Sequence, residues 1–274
     1  MLKLRVITAL LLLVLLLSAL FILPDIVWSV LVALVVLQGT SEWARLSKLS
    51  GRAAINYWGL TLLLLGGLTW FDASHSVAQQ AAMHLVIYAI SAFFWLIVVP
   101  AWLIVGWKVR QVVPMAIVGW IILIPTGLAM LDLRAISPWI LLFIMCLVWV
   151  ADSAAYFAGR KFGRSKLAPS ISPGKTWEGV AGAMLGVSVY VVLVWSFSAY
   201  FRQHEILPGL LLAAWWWVGL AIIGDLFESA IKRQADMKDS GALLPGHGGL
   251  LDRIDALTST LPLAALVILL QYYN

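Results

Sequence analysis

The sequence predicts an all-α fold, a polytopic integral membrane bundle of about nine transmembrane helices. Of its 274 residues, 63% are hydrophobic and only 11% are charged, whereas soluble domains carry about 25% charged residues. Apolar segments that approach or reach the roughly 20 residues needed to cross a bilayer recur along the whole chain. The lysine and arginine residues also alternate between the two sides of the membrane that these segments define.

Nine apolar segments are the candidate spans. Their predicted bounds are 5–23, 26–42, 55–70, 84–105, 112–131, 136–157, 178–200, 207–230 and 254–272. The second and third are short, and Pro24-Asp25 predicts a tight turn between the first two. Lys3 and Arg5 precede a long leucine run that has no small-residue cleavage site before Pro24. We therefore expect a retained first span rather than a removed signal peptide.

The distribution of basic residues predicts the orientation. With a cytoplasmic N-terminus, only Arg134 and Arg202 of the 18 lysine and arginine residues fall on the outer side. Such a split follows the positive-inside rule, and an even number of spans would disrupt it. We expect the C-terminus outside, a multi-pass protein of the bacterial inner (plasma) membrane, and two charged cytoplasmic loops, 158–177 and 231–253.

The chain divides into an N-terminal region, 1–135, with about five spans, and a catalytic region, 136–274, which contains both charged loops. The net charge of +5 does not indicate a nucleic-acid partner, because the cations follow the membrane topology. Cys146, the single cysteine, lies in an apolar run and is expected to be a small buried hydrophobe.

One face of the eighth predicted helix carries polar residues at positions i, i+3, i+4 and i+7. They are Asp225, Glu228, Ser229 and Lys232. Asp225 lies about a turn and a half inside the span, where a carboxylate is costly to keep. One interpretation is an interhelical salt bridge to Lys175 or Arg253. The one we favour is a ligand for a hard divalent cation such as Mg²⁺, completed by substrate phosphates.

Asp252 and Asp255 begin the ninth predicted helix. Acidic residues in a first turn complement the helix dipole, so capping is one interpretation. The preceding Gly-rich segment, Pro245–Gly249, favours a phosphate cradle instead, since free N–H groups of glycines and of a helix N-terminus bind anions. His247 in this segment is either a phosphate or proton-transfer group or a loop histidine bonded to backbone.

The other charged loop contributes Asp152, near the cytoplasmic end of the sixth span, and the segment 172–179. Within it, Gly174–Thr176 resembles the end of a P-loop. That motif needs a glycine where Pro169 stands, and no β-strand is predicted before it. A nucleotide-binding P-loop is therefore excluded.

Ser172 followed by Pro173 predicts a helix start, because proline is favoured at the first helical position. Lys175 would then lie near a helix N-terminus, within reach of an anionic head group. Glu178 is expected either to complement the dipole of that helix or to join the site.

These two loops together carry a long motif. Its downstream part is Ser229, Lys232-Arg233, Lys238-Asp239, His247-Gly248-Gly249 and Asp252-Arg253-Ile254-Asp255, and its upstream part is Asp152, Tyr156, Gly159 and 172–179. In this the chain resembles the phosphatidate cytidylyltransferase, or CDP-diacylglycerol synthase, family. The match is specific across roughly 150–260. Gly174 departs from it, because many members have lysine there.

The resemblance implies that CTP and phosphatidic acid react to give CDP-diacylglycerol and pyrophosphate. It also implies a nine-span homodimer surrounded by membrane lipid and dependent on Mg²⁺, with a second cation such as K⁺ in some members. Residue matching assigns the metals to Asp225 and Asp252, with Glu228 and Asp255 as further candidate ligands.

The remaining matched positions receive roles by the same comparison. The candidate catalytic residues are Asp225, Asp252, Lys232, Lys238, Asp239, His247 and Arg253. The candidate substrate-binding residues are Asp152, Ser172, Lys175, Thr176, Ser229, Arg233, Gly248 and Gly249. Attack of one phosphate on another requires charge neutralisation and alignment, which cations and carboxylate-held metals supply.

Two other functions compete with this hypothesis. A CTP-dependent polyprenol or phytol kinase would transfer the γ-phosphate to a lipid alcohol, with His247 or Asp239 as its base. A cation-coupled transporter would use intramembrane carboxylates near the midplane. The charges instead cluster at one surface, and Asp72 and Asp132 on the far side are expected to be isolated.

Overall fold

The computed structural model describes residues 2–197, 206–243 and 248–272, which are helical almost throughout. The helices are α1 (Leu2–Phe21), α2 (Asp25–Leu46), α3 (Gly51–Ser74), α4 (Val77–Phe93), α5 (Val99–Val105), α6 (Val112–Ile136), α7 (Pro138–Phe162), α8 (Trp177–Phe197), α9 (Leu207–Gln234) and α10 (Leu251–Tyr272). A π-helical turn, Phe94–Val98, joins α4 to α5 in one span. Eight spans in the described residues are long and apolar enough to cross a membrane, and α1 adds a shorter apolar stretch at Leu10–Phe21.

The predicted helical membrane fold is confirmed, and each predicted segment falls on one of these spans. The Pro24 carbonyl accepts bonds from the N–H groups of Val27 and Trp28, both at 3.0 Å, so the chain re-enters a helix directly after the turn. The observed helix bounds differ most from the predicted ones where polar residues follow an apolar segment. α2 continues to Leu46 instead of ending at residue 42, because Glu42 is buried inside the bundle.

A small β-hairpin lies between α7 and α8, and the sequence did not predict it. Strand β1 (Lys166–Ala168) pairs antiparallel with strand β2 (Ser172–Thr176). The predicted helix start at Ser172 is therefore wrong, and α8 begins at Trp177. The Thr176 hydroxyl accepts the Gly179 N–H at 3.1 Å, so threonine rather than the serine before the proline caps this helix.

The hairpin marks one end of the bundle, which we call the hairpin end. Helices α2, α5, α7 and α9 finish there, and α3, α6, α8 and α10 begin there. The other end is called the opposite end. One large hydrophobic core includes residues from α2, α4, α6, α7, α9 and α10, so it draws on both sides of residue 135.

Helices α9 and α10 approach each other closely at Gly224. A Cβ at this position would lie 2.8 Å from the Asp255 carbonyl oxygen and 2.6 Å from Ser259 Oγ. Real Cβ atoms do not come so near, so glycine is needed here for the helices to pack. The contact brings Asp225, the next residue, to the same level as Asp255.

A buried polar cluster lies at the opposite end. His84 is 8% exposed; its Nδ1 lies 2.9 Å from Asp132 Oδ2 and its Nε2 lies 3.1 Å from Asp72 Oδ1. Tyr88 donates to Asp132 Oδ2 at 2.8 Å. The expectation that Asp72 and Asp132 are isolated is therefore wrong. The three helices α3, α4 and α6 bring both carboxylates to one histidine.

Replacing this histidine is expected to destabilise the bundle. His84→Leu keeps an apolar volume but removes the partner that both carboxylates share, which costs about 1–3 kcal/mol for a buried acceptor left unsatisfied. The measurement is thermal unfolding of the purified protein in detergent. Ser29→Ala is the control, because Ser29 bonds only to the Asp25 carbonyl of its own exposed helix turn. An unchanged Tm for His84→Leu would contradict this role.

Candidate active site

The carboxylates of α9 and α10 meet at the hairpin end, where β2 reaches them. Lys175 Nζ lies 2.6 Å from Asp225 Oδ2, and Ser229 Oγ donates to Asp225 Oδ1 at 3.3 Å. Asp152 on α7 and Asp255 on α10 are close enough for their charges to act on Asp225. Four elements therefore converge on one carboxylate. The salt bridge to Lys175 is the one that the sequence left open as an alternative.

Lys232 joins the two helices by bridging two carboxylates. Its Nζ lies 2.6 Å from Asp252 Oδ1 and 3.2 Å from Glu228 Oε2. All three side chains are well buried, with 13%, 6% and 7% of their surface exposed for Lys232, Asp252 and Glu228. One ammonium group between two carboxylates leaves a local excess of negative charge, and the low dielectric of the surroundings strengthens its field.

Glu42 is a member of this network that the sequence analysis missed. It is fully buried on α2, and its carboxylate accepts bonds from the N–H groups of Leu250 at 2.9 Å and Leu251 at 2.8 Å. It also accepts the Ser240 hydroxyl at 2.8 Å. A carboxylate thus satisfies the free N–H groups at the start of α10, where the helix dipole favours negative charge. The signal in the sequence was a charge at the end of an apolar segment.

Asp252 also forms hydrogen bonds to the loop that precedes α10. Its Oδ2 accepts the N–H groups of Gly249 at 2.8 Å and Ser240 at 2.9 Å, together with the Ser240 hydroxyl at 3.1 Å. The capping interpretation of Asp252 therefore has direct geometric support. The N–H groups expected to cradle phosphate are bonded to protein carboxylates in this structure, so phosphate binding by Gly249 stays a prediction.

Gly248 has a φ of +83°, a backbone conformation that glycine adopts without strain. A Cβ there would lie 2.8 Å from Asp252 Oδ2. The loop before α10 therefore needs glycine at this point to close onto the carboxylate. His247 lies outside the described residues, and its predicted role stays a prediction.

The remaining predicted residues lie around this network. Lys238, Asp239, Arg233 and Arg253 are exposed at the hairpin end, where a water-soluble ligand can reach them. Glu178 accepts the Ser165 N–H at 3.1 and 3.2 Å from its two oxygens. That bond holds the hairpin against α8, which is a structural role.

The donor chemistry of the cluster fits a hard cation such as Mg²⁺. All the candidate ligands are carboxylates, the ligands that this ion prefers. Glu228 Oε1 is buried and has no hydrogen-bond partner within the part of the chain that the structure describes, and the carboxyl group of Asp255 lies close to the Glu228 side chain. A buried acceptor without a donor, beside a second carboxyl group, suits a cation. No group of three or more histidine, cysteine or acidic residues in the described ranges has a ready-made metal-ligand arrangement.

Comparison with known proteins gives a match along almost the whole chain. The sequence profile of the cytidylyltransferase family covers residues 3–271. The chain belongs to the cytidylyltransferase family. The phosphatidate cytidylyltransferase of Pseudomonas aeruginosa is 36% identical over 97% of this chain and 96% of its own. That of Haemophilus influenzae is 32% identical over 96% of each. A Thermotoga maritima protein of the same name is 42% identical over 46% of this chain.

The resemblance inferred from the loop motifs is therefore confirmed, and it extends beyond them. Positions 150–260 were the specific part of the motif match, whereas the full-length relatives also align with the N-terminal helices. This agrees with the structure of this cytidylyltransferase, because Glu42 on α2 bonds directly to the loop before α10.

Removing the Glu42 carboxylate is expected to disorder the start of α10. Glu42→Ala leaves the N–H groups of Leu250 and Leu251 without this acceptor, at about 1–3 kcal/mol each, and should lower both Tm and activity. Ser41→Ala is the matched control on the same helix, since Ser41 bonds only to the Leu37 carbonyl. Thermal unfolding and turnover measured on both variants test this, and wild-type values for Glu42→Ala would contradict it.

Proposed function

We propose that this cytidylyltransferase transfers the cytidylyl group of CTP to phosphatidic acid. An oxygen of the lipid phosphate bonds to the α-phosphorus of CTP while the bond from that phosphorus to the β-phosphate bridging oxygen breaks. CDP-diacylglycerol forms and pyrophosphate leaves. The observation that carries the proposal is the convergence of the described charged residues of the motif, from β2, α9 and α10, on one end of the helical bundle.

The reaction joins two anions, so its main barrier is electrostatic. A phosphate monoester is already ionised near neutral pH, and no strong base is required. Arrayed cations that offset charge in the transition state supply much of the rate enhancement. The exposed cations Lys238, Arg233 and Arg253 can meet the triphosphate from the water side. Lys175 and Lys232 lie deeper, and their pairing with carboxylates fixes their positions.

The carboxylates are assigned to cation binding. Asp225 and Asp252 would hold Mg²⁺, with Glu228 and Asp255 beside them and a second cation such as K⁺ as a further candidate. When bound, such an ion neutralises phosphate oxygens and stabilises the leaving group. The protein's own part is to hold the two main ligands in place: Lys232 and Ser240 orient Asp252, and Lys175 and Ser229 orient Asp225.

The setting of the reaction follows from the bundle. We infer from the excess of cations at the hairpin end that this end faces the cytoplasm, together with the N-terminus, in a bacterial inner membrane. CTP would enter from the cytoplasm and the lipid from the side. A hollow of about 360 Å³ on α7 offers apolar surface to an acyl chain; it is lined by Cys146, Trp149, Val150, Ser153 and Ala154. We further propose that the protein is a homodimer, in which the first 135 residues contact lipid and the second subunit.

The decisive experiment identifies both products. Purified protein is incubated with phosphatidic acid, Mg²⁺ and CTP labelled at the α-phosphate. The proposal expects label in the extracted lipid and one pyrophosphate released per lipid formed. Release of labelled CDP, with a polyprenol or phytol as acceptor, would instead identify a lipid kinase.

Neutralising either carboxylate is expected to remove activity without unfolding the protein. Asp225→Asn and Asp252→Asn keep the side-chain size but lose the charge, and turnover should fall by at least about 100-fold, as when one electrostatic contact to a transition state is removed. Asp25→Asn is the control, since Asp25 is fully exposed and pairs with Arg134 at the opposite end. Normal turnover in both site variants would refute the assignment.

Cation dependence gives a separate test. Chelation with EDTA should abolish CDP-lipid synthesis, and added Mg²⁺ should restore it. Glu228→Gln should raise the Mg²⁺ concentration needed for half-maximal turnover, because it removes a charge beside the ion. Mg²⁺ should also raise the Tm of the wild type, and less so that of Glu228→Gln. An EDTA-treated enzyme that retains its full rate would exclude the cation from the reaction.

A further inference from the structure

A second cavity opens at the hairpin end, on the other flank of α9. Its volume is about 560 Å³ and its lining includes Lys48, Lys108, Arg110 and Arg233; we call it the basic cavity. Three residues of α9 line it: Arg233, Ala230 and Gln234. Successive residues of an α-helix are rotated by about 100°, so these three point about 80°, 140° and 180° away from the direction of Asp225. The basic cavity is therefore separate from the carboxylate cluster.

The positive charge of the side chains that line the basic cavity exceeds the negative charge of the helix ends around it. Helices α2, α5 and α9 all end at its wall, and each C-terminus contributes about −0.5 charge, or about −1.5 together. The lining has four cations and one carboxylate, Asp236, a net side-chain charge of +3. Asp236 itself pairs with Lys48 at 3.9 Å. Cations that only balanced the helix ends would not leave this surplus.

Ser47 adds an independent observation. It lines the basic cavity, is only 5% exposed, and its hydroxyl has no hydrogen-bond partner among the described residues. Buried hydroxyl groups are nearly always bonded. A hydroxyl donor beside surplus cations is the combination that binds a phosphate oxygen.

The rim of the basic cavity lies at a membrane surface. Ile104 and Val105, the last residues of α5, are 85% and 64% exposed, and Trp107 is 45% exposed. The Trp107 carbonyl accepts Trp102 Nε1 at 2.9 Å, which holds this turn in place. Exposed aliphatic residues followed by tryptophan are typical of the boundary between acyl chains and head groups. A ligand with both a phosphate and an acyl chain fits this rim better than a soluble phosphate.

We propose that the basic cavity is a second lipid site, which binds the phosphate group of an anionic phospholipid through Lys108, Arg110 and the Ser47 hydroxyl. The acyl chains lie against Ile104 and Val105. This site is distinct from the carboxylate cluster, since its lining does not include Asp225, Lys232 or Asp252. Arg233 lies between the two, and its role in the proposed reaction is the reason that the variants below leave it unchanged.

The test measures lipid affinity with a lipid that is not the proposed substrate. Short-chain phosphatidylglycerol is titrated into the full-length protein in neutral detergent with EDTA present, and its Kd is compared with that of phosphatidylcholine of the same chain length. Each cation beside an anionic lipid strengthens binding about fivefold. The double variant K108A/R110A should therefore weaken phosphatidylglycerol binding by about thirtyfold and phosphatidylcholine binding much less, because the choline cation offsets the charge of its phosphate.

The control removes the same charge elsewhere. K161A/R164A changes two basic residues at the end of α7, outside the basic cavity, and should leave the Kd for phosphatidylglycerol unchanged. Ser47→Ala should weaken binding severalfold without lowering Tm, because its hydroxyl has no protein partner to lose.

Three outcomes would overturn the proposal. Equal loss in K108A/R110A and K161A/R164A would show a general charge effect. Equal affinity for the two lipids would show that the cavity does not select a net anionic head group, because both lipids carry a phosphate. Competition by inorganic phosphate, with no advantage for the acylated ligand, would assign the cavity to a soluble anion. None of these binding measurements uses CTP, so a negative result here can be distinguished from a failure of the proposed reaction.

Discussion

The buried carboxylate of Glu42 is the interaction on which the arrangement of the site depends. A helix that begins inside a bundle presents unbonded N–H groups, and they must be satisfied without water. Glu42 does this for α10 from a helix more than two hundred residues earlier, and it holds Ser240 through the same carboxylate. Because Ser240 in turn bonds to Asp252, the orientation of a candidate cation ligand is fixed by a residue of α2.

Charge pairing organises the rest of the cluster. Lys175 and Lys232 each hold carboxylates that would otherwise repel one another, and buried ions without partners are strongly destabilising. The pairing of Asp225 with Lys175 does not compete with a role in cation binding, since Asp225 retains a second oxygen bonded only to a serine hydroxyl. A triphosphate that attracts the lysine would leave both carboxylate oxygens for an ion.

Much of the fold could be predicted from the sequence, because length and apolarity decide which segments span a bilayer. The hairpin could not, since its strands are three and five residues long and Ser172-Pro173 has the local signature of a helix start. Asp72 and Asp132 looked isolated for another reason: the histidine that joins them is distant in sequence and comes near only when α3, α4 and α6 pack.

The sequence predicted the part of the candidate site that lies on one helix, but it did not predict the contacts between helices. Asp225, Glu228, Ser229 and Lys232 share a helix face, and a spacing of three or four residues is sufficient to show this. Glu42 was missed because its partners lie in a loop at the other end of the chain. Sequence spacing reports contacts within an element, whereas contacts between elements depend on packing.

The link between α2 and α10 also bears on how the protein is made. A polypeptide enters the membrane from its N-terminus, so α2 is in place long before α10 leaves the ribosome. Until the last helix arrives, Glu42 lacks the N–H groups of Leu250 and Leu251, and Asp252 is not yet beside Lys232. The carboxylate cluster can therefore assemble only after α10 has been made.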